Sequence, residues 1–353
     1  MKILVWEYAL WYGRKCLDYL LDGYLMTRFL IRSLTEIPDI NIIVFRNREI
    51  KVSFQEFHGK VIEVTDTELH NLAKFSEDCD GAFVIAPSIE IMKIAKHLRC
   101  RLYGPDITII PTLSRKDLTL NLLQRKGFPV PEFLILRDRY DVEEAIKELG
   151  LPMVMKVVDS AGCYGVHVVN SVNECLNVFE KLYNISNVGP IIAMRYVRGL
   201  SMSYSAVVYD GKPVLELVNR QVIKAEGYFF KFYGIESSVK YLRRYILDIC
   251  RELVQEFSRF LKCYINIDFI VDKDGSVYIL EVNPRISISF VNMLYTYGFR
   301  SVAEAMLFGH VSSSRREPIL KYVSVCRVKA SSGPVVDYVS IPEVSGSYFV
   351  QVQ

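Results

Sequence analysis

Residues 264–287 limit the possible fold of this chain more than any other segment. Two runs of β-branched and aromatic residues flank Asp274-Gly275, a dipeptide that favours a tight turn between antiparallel strands. A two-residue turn there pairs Lys273 with Ser276. The segment therefore predicts a β-hairpin, whose side chains point alternately to opposite faces. Its apolar face is formed by Ile265, Ile267, Phe269, Val271, Tyr278, Leu280 and Val282.

The polar face of the hairpin carries Asn266, Asp268, Glu281 and Asn283. The two-residue turn places Asp268 opposite Glu281, and Asn266 opposite Asn283. Opposed Cβ atoms lie roughly 4.5–5.5 Å apart, where like charges repel. A hard divalent cation between the carboxylates removes this repulsion, so Asp268, Glu281 and Asn283 are candidate metal ligands. A solvated polar face is the alternative; an EF-hand loop is disfavoured, because Ile270 stands where its first carboxylate is required.

The residues after the hairpin favour the metal site. Pro284 ends the strand, because proline cannot extend the hydrogen-bond ladder. Arg285 then follows the carboxylates directly, and its guanidinium is suited to a phosphate oxygen. Two carboxylates, an asparagine and an arginine in this order match the needs of a magnesium–nucleotide site.

The run from Asp268 to Arg285 resembles the metal-binding end of the ATP-grasp superfamily, and the order of elements is similar over residues 112–290. This resemblance implies ATP and Mg²⁺ (or Mn²⁺) as cofactors, with Asp268, Glu281 and Asn283 on the metal. It implies that Arg285 stabilises the transferring phosphate. The expected reaction joins a small-molecule carboxylate to an amine through an acyl phosphate, releasing ADP and phosphate.

The resemblance also implies contacts to the ATP phosphates. Lys156 lies in the apolar run 153–158 and needs an anionic partner if it is buried; an exposed lysine on an edge strand is the alternative. It is predicted to be catalytic together with Arg285. Ser160, Gly162 and Gly165 belong to a loop that is similar to the family's phosphate lid, although by itself it could be any flexible hairpin loop.

Two further nucleotide contacts come from the same resemblance. Lys116 matches a lysine that reaches the nucleotide, the alternative being a solvated lysine in a first helical turn. Arg195, Tyr196 and Val197 match the hinge whose backbone hydrogen-bonds adenine. Met194 stands where many members carry glutamate, which weakens the case for side-chain recognition of adenosine.

The N-terminal third alternates strands (2–6, 41–45, 61–64 and 81–86) with helices (19–34, 66–76 and 88–98). This order predicts a parallel sheet with helices on both faces. No Gly-x-Gly-x-x-Gly follows the first strand, which disfavours a dinucleotide fold. Downstream, we expect a helix at 114–127 with Ser114 as its N-cap and Gly127 as its stop. A long helix is expected from about Ser237 to Leu261.

The predicted fold class is α/β, with α+β character in the ATP-grasp half, since 353 residues are too many for one core. The expected domains are an N-terminal α/β domain (1–110), a small lobe with the phosphate loop (111–197), a metal-binding lobe (198–310) and a β-rich extension (311–353).

The segments 5–9 and 22–30 resemble a narrower group, the archaeal ATP-grasp ligases of the tyramine–L-glutamate ligase type from methanofuran synthesis. This implies an amino acid such as glutamate as the carboxylate and a small amine as its partner. Glu7 ends a predicted strand at the ligand edge of the sheet and could bind a substrate ammonium; a helix-capping or surface carboxylate is the alternative. Gln221 and Lys224 lie in the stretch that faces the acceptor in the family.

Composition limits the other classes of function. The net charge of +3 is nearly balanced, which gives no case for a nucleic-acid groove, and no apolar run is long enough for a membrane span. The N-terminus resembles a first strand rather than a signal peptide. Eight cysteines without a Cys-x-x-Cys pair argue against zinc and disulfides, and favour a cytoplasmic protein.

The sequence leaves some questions open. The oligomeric state is one of them, a homodimer included. An ATP-binding regulatory or scaffold protein without ligase activity and a biotin-dependent carboxylase-type enzyme remain as alternative functions.

Overall fold

A computed structural model describes residues 1–54, 59–65, 67–159, 163–186, 189–226, 229–312, 318–320, 322–327 and 334–353. Ser160 and Gly162, which were expected to contact phosphate, lie outside the described residues. The described strands form two sheets, one parallel and one antiparallel.

The N-terminal sheet is parallel, as predicted. Its order is β3-β2-β1-β4-β5, with β1 (Lys2–Glu7), β2 (Asn41–Asn47), β3 (Gly59–Val64), β4 (Gly81–Ile85) and β5 (Arg101–Leu102). The helices of this part are α1 (Tyr8–Tyr12), α2 (Leu17–Thr35), α3 (His70–Ser76) and α4 (Ser88–Ala95). The central strand β1 is buried on both faces, since Ile3, Leu4, Val5 and Trp6 are all inaccessible. Covered strands of this kind are typical of parallel sheets.

The second sheet is antiparallel and has the order β14-β13-β10-β11-β12-β8-β7-β9-β6, with β15 pairing with β12 and β17, and β16 pairing with β17. Its strands are β6 (Phe133–Leu136), β7 (Met153–Val157), β8 (Val166–Val169), β9 (Ile191–Arg195), β10 (Gly199–Tyr209), β11 (Lys212–Glu226), β12 (Phe229–Ser238), β13 (Cys263–Asp272), β14 (Val277–Asn283), β15 (Tyr322–Cys326), β16 (Val335–Ile341) and β17 (Val344–Val352).

The helices of this second part are α5 (Ile110–Leu113), α6 (Lys116–Arg125), α7 (Arg139–Leu149), α8 (Val172–Ile185), α9 (Arg244–Glu256), α10 (Ser289–Tyr297) and α11 (Phe299–Phe308). No helix in the described part of the chain has both the length and the apolar character that crossing a bilayer requires.

Three predicted helix boundaries were wrong. The N–H of Ser114 donates to the carbonyl of Ile110 at 2.8 Å, so Ser114 closes α5 instead of capping α6. Helix α9 begins at Arg244 instead of about Ser237, because Ser237 still pairs with Val323 in the sheet. It ends at Glu256 instead of Leu261. The stop at Gly127 agrees with the structure, where this glycine follows α6 with φ +80°.

The hairpin β13–β14 has the predicted cross-strand partners but a different turn. The N–H of Asp272 donates to the carbonyl of Ser276 at 3.0 Å, so residues 273–275 form a three-residue loop and Lys273 does not pair with Ser276. A bulge then shifts the register, which sets Asp268 opposite Glu281 and Asn266 opposite Asn283. The bulge also changes the alternation along β14. The buried residues are Val277, Ile279 and Val282, whereas Tyr278 and Leu280, predicted to be on the apolar face, are only partly buried.

Helix α2 connects the N-terminal part of the molecule to the last strands. It contacts α10, α11 and β17, and its Phe29 ring lies 5.8 Å from the ring of Tyr295. Phe29 shares one apolar cluster with Tyr348 and Val350 of β17. The two ends of the chain are therefore packed into the same core, next to the hairpin.

Candidate active site

Asp268 is held by three amide groups. Its Oδ1 atom accepts hydrogen bonds from Gln221 Nε2 at 2.8 Å and from Asn266 Nδ2 at 2.7 Å, and its Oδ2 accepts one from Asn283 Nδ2 at 3.1 Å. The Oδ1 of Asn283 faces Arg285 Nη2 at 3.5 Å, so it points away from the carboxylates. The structure thus brings the three predicted metal ligands together, with the Asn283 oxygen turned toward the arginine.

The surroundings shift the pKa values of the two carboxylates in opposite directions. Burial, together with the charge of Glu281, raises the pKa of Asp268 to about 8. Burial opposes ionisation of Glu281 as well, but the ammonium groups of Lys116 and Lys156 hold its pKa at about 2. A buried carboxylate that is hard to ionise beside a second one is stabilised by an added cation. This donor set fits a hard divalent ion, which prefers oxygen ligands.

Few side chains are available to bind a metal ion at this site. No group of three or more His, Cys, Asp or Glu side chains suited to a metal occurs among the described residues. Asp268 and Glu281 supply two carboxylates, and amide oxygens would have to supply the rest. Such a set suits Mg²⁺, which is usually bound by one or two carboxylates together with substrate phosphates.

Two buried lysines face this acidic pair. Lys116 begins α6 and its Nζ lies 3.4 Å from Glu281 Oε2, so the alternative of a solvated lysine was wrong. Lys156 is buried in β7, which lies between β8 and β9, so the alternative of an exposed edge lysine was also wrong. Burial lowers the pKa of Lys156 to about 8, although the charge of Glu281 partly opposes this change. Both ammonium groups therefore lie where an anionic ligand would stabilise them.

Arg285 follows β14 directly and is anchored through its N–H, which donates to the Asn283 carbonyl at 2.9 Å. Its Nε is buried and has no hydrogen-bond partner among the described residues. Burial lowers the pKa of Arg285, against the opposing charges of Glu281 and Asp268. A buried N–H without a partner is costly, and a phosphate oxygen would satisfy it.

Gly165, the described glycine of the predicted phosphate lid, has a structural reason to be glycine. Its φ is +66°, and a Cβ there would lie 2.8 Å from Val157 Cγ2. Its carbonyl accepts a hydrogen bond from the Val157 N–H at 3.2 Å. Gly165 therefore closes the β7–β8 connection, and contact of this loop with phosphate stays a prediction.

The predicted hinge connects β9 to β10, two strands that are not neighbours in the antiparallel sheet. Arg195 ends β9, where its side chain forms an ion pair with Glu132 and its N–H donates to the Glu132 carbonyl at 2.9 Å. The side chain and N–H of Arg195 are thus already engaged, and contact of the Tyr196 and Val197 backbone with adenine stays a prediction. Beside the hinge lies an apolar cluster of Leu120, Val158, Ile192 and Met194, against which Leu280 and Val154 pack.

The three predicted substrate residues occupy different environments. Glu7 is buried and caps α1, since its Oε2 accepts the Leu10 N–H at 2.6 Å; this geometry matches the capping alternative. Burial raises the pKa of Glu7 to about 8. Gln221 contacts Asp268 and is therefore part of the carboxylate cluster. Lys224 is not, because its Nζ lies 4.8 Å from the centre of the Tyr233 ring.

Sequence reasoning missed the polar network behind the carboxylates. The hydroxyl of Ser205 donates to Asn266 Oδ1 at 3.0 Å, and Asn219 Nδ2 donates to Ser205 Oγ at 3.0 Å. These side chains are fully or almost fully buried. The alternation Ser203-x-Ser205 on β10, opposite Asn266 and Asp268, was the sequence signal that could have revealed it.

The chain is similar to a known domain family and to several known proteins. A model of the ATP-grasp domain (ATP-grasp_3) matches residues 113–289. The D-alanine–D-alanine ligase of Neisseria meningitidis serogroup C is 31% identical over 175 residues, which are 45% of this chain and 53% of the relative. The chain thus spans about half the length of this curated relative.

Solved structures share the fold along the whole chain. The biotin carboxylase domain of the Hydrogenobacter thermophilus 2-oxoglutarate carboxylase, solved with MgADP, ADP and bicarbonate, has a TM-score of 0.77 at 14% identity, covering 100% of this chain and 86% of that one. An L-amino acid ligase from Bacillus licheniformis has a TM-score of 0.72 at 15% identity, covering 100% and 93%. At these identities the similarity concerns the fold. Because the domain model matches half of the sequence, and does so at the segment that holds the carboxylates and lysines, this chain belongs to the ATP-grasp family.

Proposed function

We propose that this protein is an ATP-dependent ligase that joins a carboxylate to an amine and releases ADP and phosphate. The observation that carries the proposal is the arrangement of two buried lysines, two carboxylates and an arginine around one hairpin. Lys116 lies 3.4 Å from Glu281, and the charges of Glu281 and Asp268 both act on Lys156 and on Arg285. Cations and paired acids at this density suit the transfer of a phosphoryl group.

Each side chain has a distinct part in this proposal. Asp268 and Glu281, with Asn283 after rotation of its amide, would hold Mg²⁺. A bound Mg²⁺ would offset phosphate charge and orient the phosphoryl group. Lys116 and Lys156 would bind phosphate oxygens, which replace Glu281 as the partner of Lys116. Arg285 would direct its Nε–H, which has no hydrogen-bond partner in the described part of the chain, toward the charge that develops during transfer.

The reaction balances in two steps. A carboxylate oxygen of the substrate attacks the γ-phosphorus of ATP, and ADP leaves. The amine nitrogen then attacks the acyl carbon, phosphate leaves, and the amine proton passes to water or to a base. No covalent bond to the protein is required, so the side chains act by positioning and by charge.

The apolar cluster beside the hinge offers a place for the nucleotide base. Leu280 packs against this cluster, and Met194 lies two positions before Tyr196, whose backbone groups, with those of Val197, would bind the edge of adenine. The loop with Ser160, Gly162 and Gly165 would cover the phosphates.

The substrates are proposed at two levels. The ligase relatives act on amino acids, as the names D-alanine–D-alanine ligase and L-amino acid ligase state, and this supports an amino acid as one substrate. The narrower pair, glutamate and a small aromatic amine such as tyramine, rests on the resemblance of the N-terminal segments alone.

The test is ADP release with Mg-ATP, first with each of the twenty L-amino acids and other small carboxylates, then with amines added in pairs. Release that requires both a carboxylate and an amine is the expected result. Release that requires bicarbonate and biotin would indicate a carboxylase instead. ATP binding without release under any condition would indicate a regulatory protein and would refute the ligase.

A further inference from the structure

The two ends of the chain meet in a polar cluster outside the site described above. Asp22 on α2 accepts hydrogen bonds from Arg327 Nη2 at 3.1 Å and from the Tyr348 hydroxyl at 2.8 Å. Arg327 Nε also donates to the Tyr348 hydroxyl at 3.2 Å. The side chains of Asp22 and Arg327 are each 33% exposed, so the ion pair is open to a ligand on one side.

This cluster is connected to the carboxylates of the active site through β11 and β12. On β11, Gln221 contacts Asp268 and Lys224 lies over Tyr233, and three residues of a strand span roughly 10 Å. The Tyr233 carbonyl accepts the Arg327 N–H at 2.6 Å. The charge of Asp22 is also one of those that oppose the lowering of the Arg285 pKa by burial.

We propose that Asp22 and Arg327 bind the ammonium and the carboxylate of a zwitterionic amino acid substrate. Asp22 would take the ammonium, and Arg327 would take the carboxylate in the two-pronged manner of a guanidinium. The Tyr348 hydroxyl, which contacts both side chains, would keep them in place. This inference rests on the proposed ligase function, and it assigns substrate binding to the N-terminal helix and the last strands of the chain.

The exposure of the Asp22–Arg327 pair distinguishes it from an ion pair that only holds the two chain ends together. A second pair also joins α2 to the C-terminal strands, since Asp337 on β16 lies 3.3 Å from both Arg28 and Arg32. Asp337 is only 11% exposed, and it also accepts a hydrogen bond from the Tyr295 hydroxyl at 3.3 Å. Asp337 therefore supplies a control for a purely structural role.

The experiment compares three ligands in the ADP-release assay: L-glutamate, glutarate, which lacks the ammonium, and 4-aminobutyrate, which lacks the α-carboxylate. The side-chain carboxylate of glutamate is then the one that is phosphorylated, and if another L-amino acid with a second carboxylate is the substrate, its own two analogues replace these. In the unmodified protein, kcat/KM should fall by at least about tenfold for each missing group, as expected of charge-assisted contacts. Asp22→Asn should lose the preference for the ammonium only, and Arg327→Gln the preference for the carboxylate only.

The control and the contrary outcomes are separable. Asp337→Asn should keep both preferences, even if it lowers the melting temperature. If Asp22→Asn lowers kcat/KM equally for all three ligands, the cluster only stabilises the fold, and the inference is overturned. A kcat/KM for glutarate equal to that for L-glutamate in the unmodified protein would also overturn it while leaving the ligase intact, whereas no release with any carboxylate would refute both.

Discussion

Replacing Lys156 with methionine should stabilise the protein without nucleotide and weaken its response to Mg-ATP. The ammonium of Lys156 is buried in the middle of the antiparallel sheet, and burial lowers its pKa from 10.5 to about 8. A pKa change of this size corresponds to a free-energy cost of about 3 kcal/mol for keeping the charge in the folded chain. Methionine has a similar length and no charge, so it removes this cost and leaves little cavity.

The sign of the pH dependence follows from the same values. Below pH 8 the folded and unfolded chains both carry the proton, and the full cost is present. Between pH 8 and 10.5 the unfolded chain binds a proton that the folded chain does not, so the stability of the unmodified protein rises with pH. Lys156→Met should therefore exceed the unmodified protein by up to about 3 kcal/mol at pH 7, with the difference shrinking toward pH 10.

The assay is urea unfolding at several pH values, with and without Mg-ATP. Without nucleotide the variant should unfold at higher urea, whereas the stabilisation by Mg-ATP should be smaller than in the unmodified protein. Lys273→Met is the matched control, because this lysine is 87% exposed and its loss should change neither quantity. A variant that is less stable by more than about 1 kcal/mol, or that keeps the full nucleotide response, would refute this account of Lys156.

Three further predictions concern the site and its support. Glu281→Ala should abolish ADP release at millimolar Mg²⁺ while far-UV circular dichroism stays unchanged, since the side chain is partly exposed and leaves no apolar cavity; turnover at the original rate would rule out the metal assignment. Arg285→Lys should lower kcat more than it raises KM for ATP, because lysine keeps the charge but not the planar donor pair; unchanged kinetics would mean that Arg285 has no part in phosphoryl transfer. Gly23→Ala should destabilise the fold by about 1–3 kcal/mol in urea unfolding, because its Cβ would lie 2.0 Å from Glu7 Oε1. Gly104→Ala, where the nearest atom is 3.4 Å away, should be nearly neutral, and equal effects of both substitutions would contradict the packing argument.

The sequence alone determined the features that depend on short-range periodicity. The parallel N-terminal sheet follows from alternating strands and helices, and β1 to β4 match the predicted strands closely. The opposition of Asp268 and Glu281 was predicted correctly even though the turn was not. The predicted partners are still correct, because the three-residue loop and the bulge shift the register of the two strands in opposite directions.

The tertiary structure decided which of the predicted side chains are buried and what they contact. Lys116 could not be distinguished from a solvated lysine by its position in a helix, since its burial depends on the hairpin that packs against α6. Glu7 likewise became a helix cap because Gly23 of α2 packs against its carboxylate. Propensity and spacing carry no information about such neighbours.

The meeting of Asp22 with Arg327 and Tyr348 depends on tertiary structure most of all. These residues are more than 300 positions apart in the chain, and no local pattern connects them. They come together because α2 buries its apolar face against β17, α10 and α11. The proposed metal ligands and Arg285 thus come from one hairpin and the residues directly after it, whereas the proposed substrate contacts exist only after the two ends of the chain have packed together.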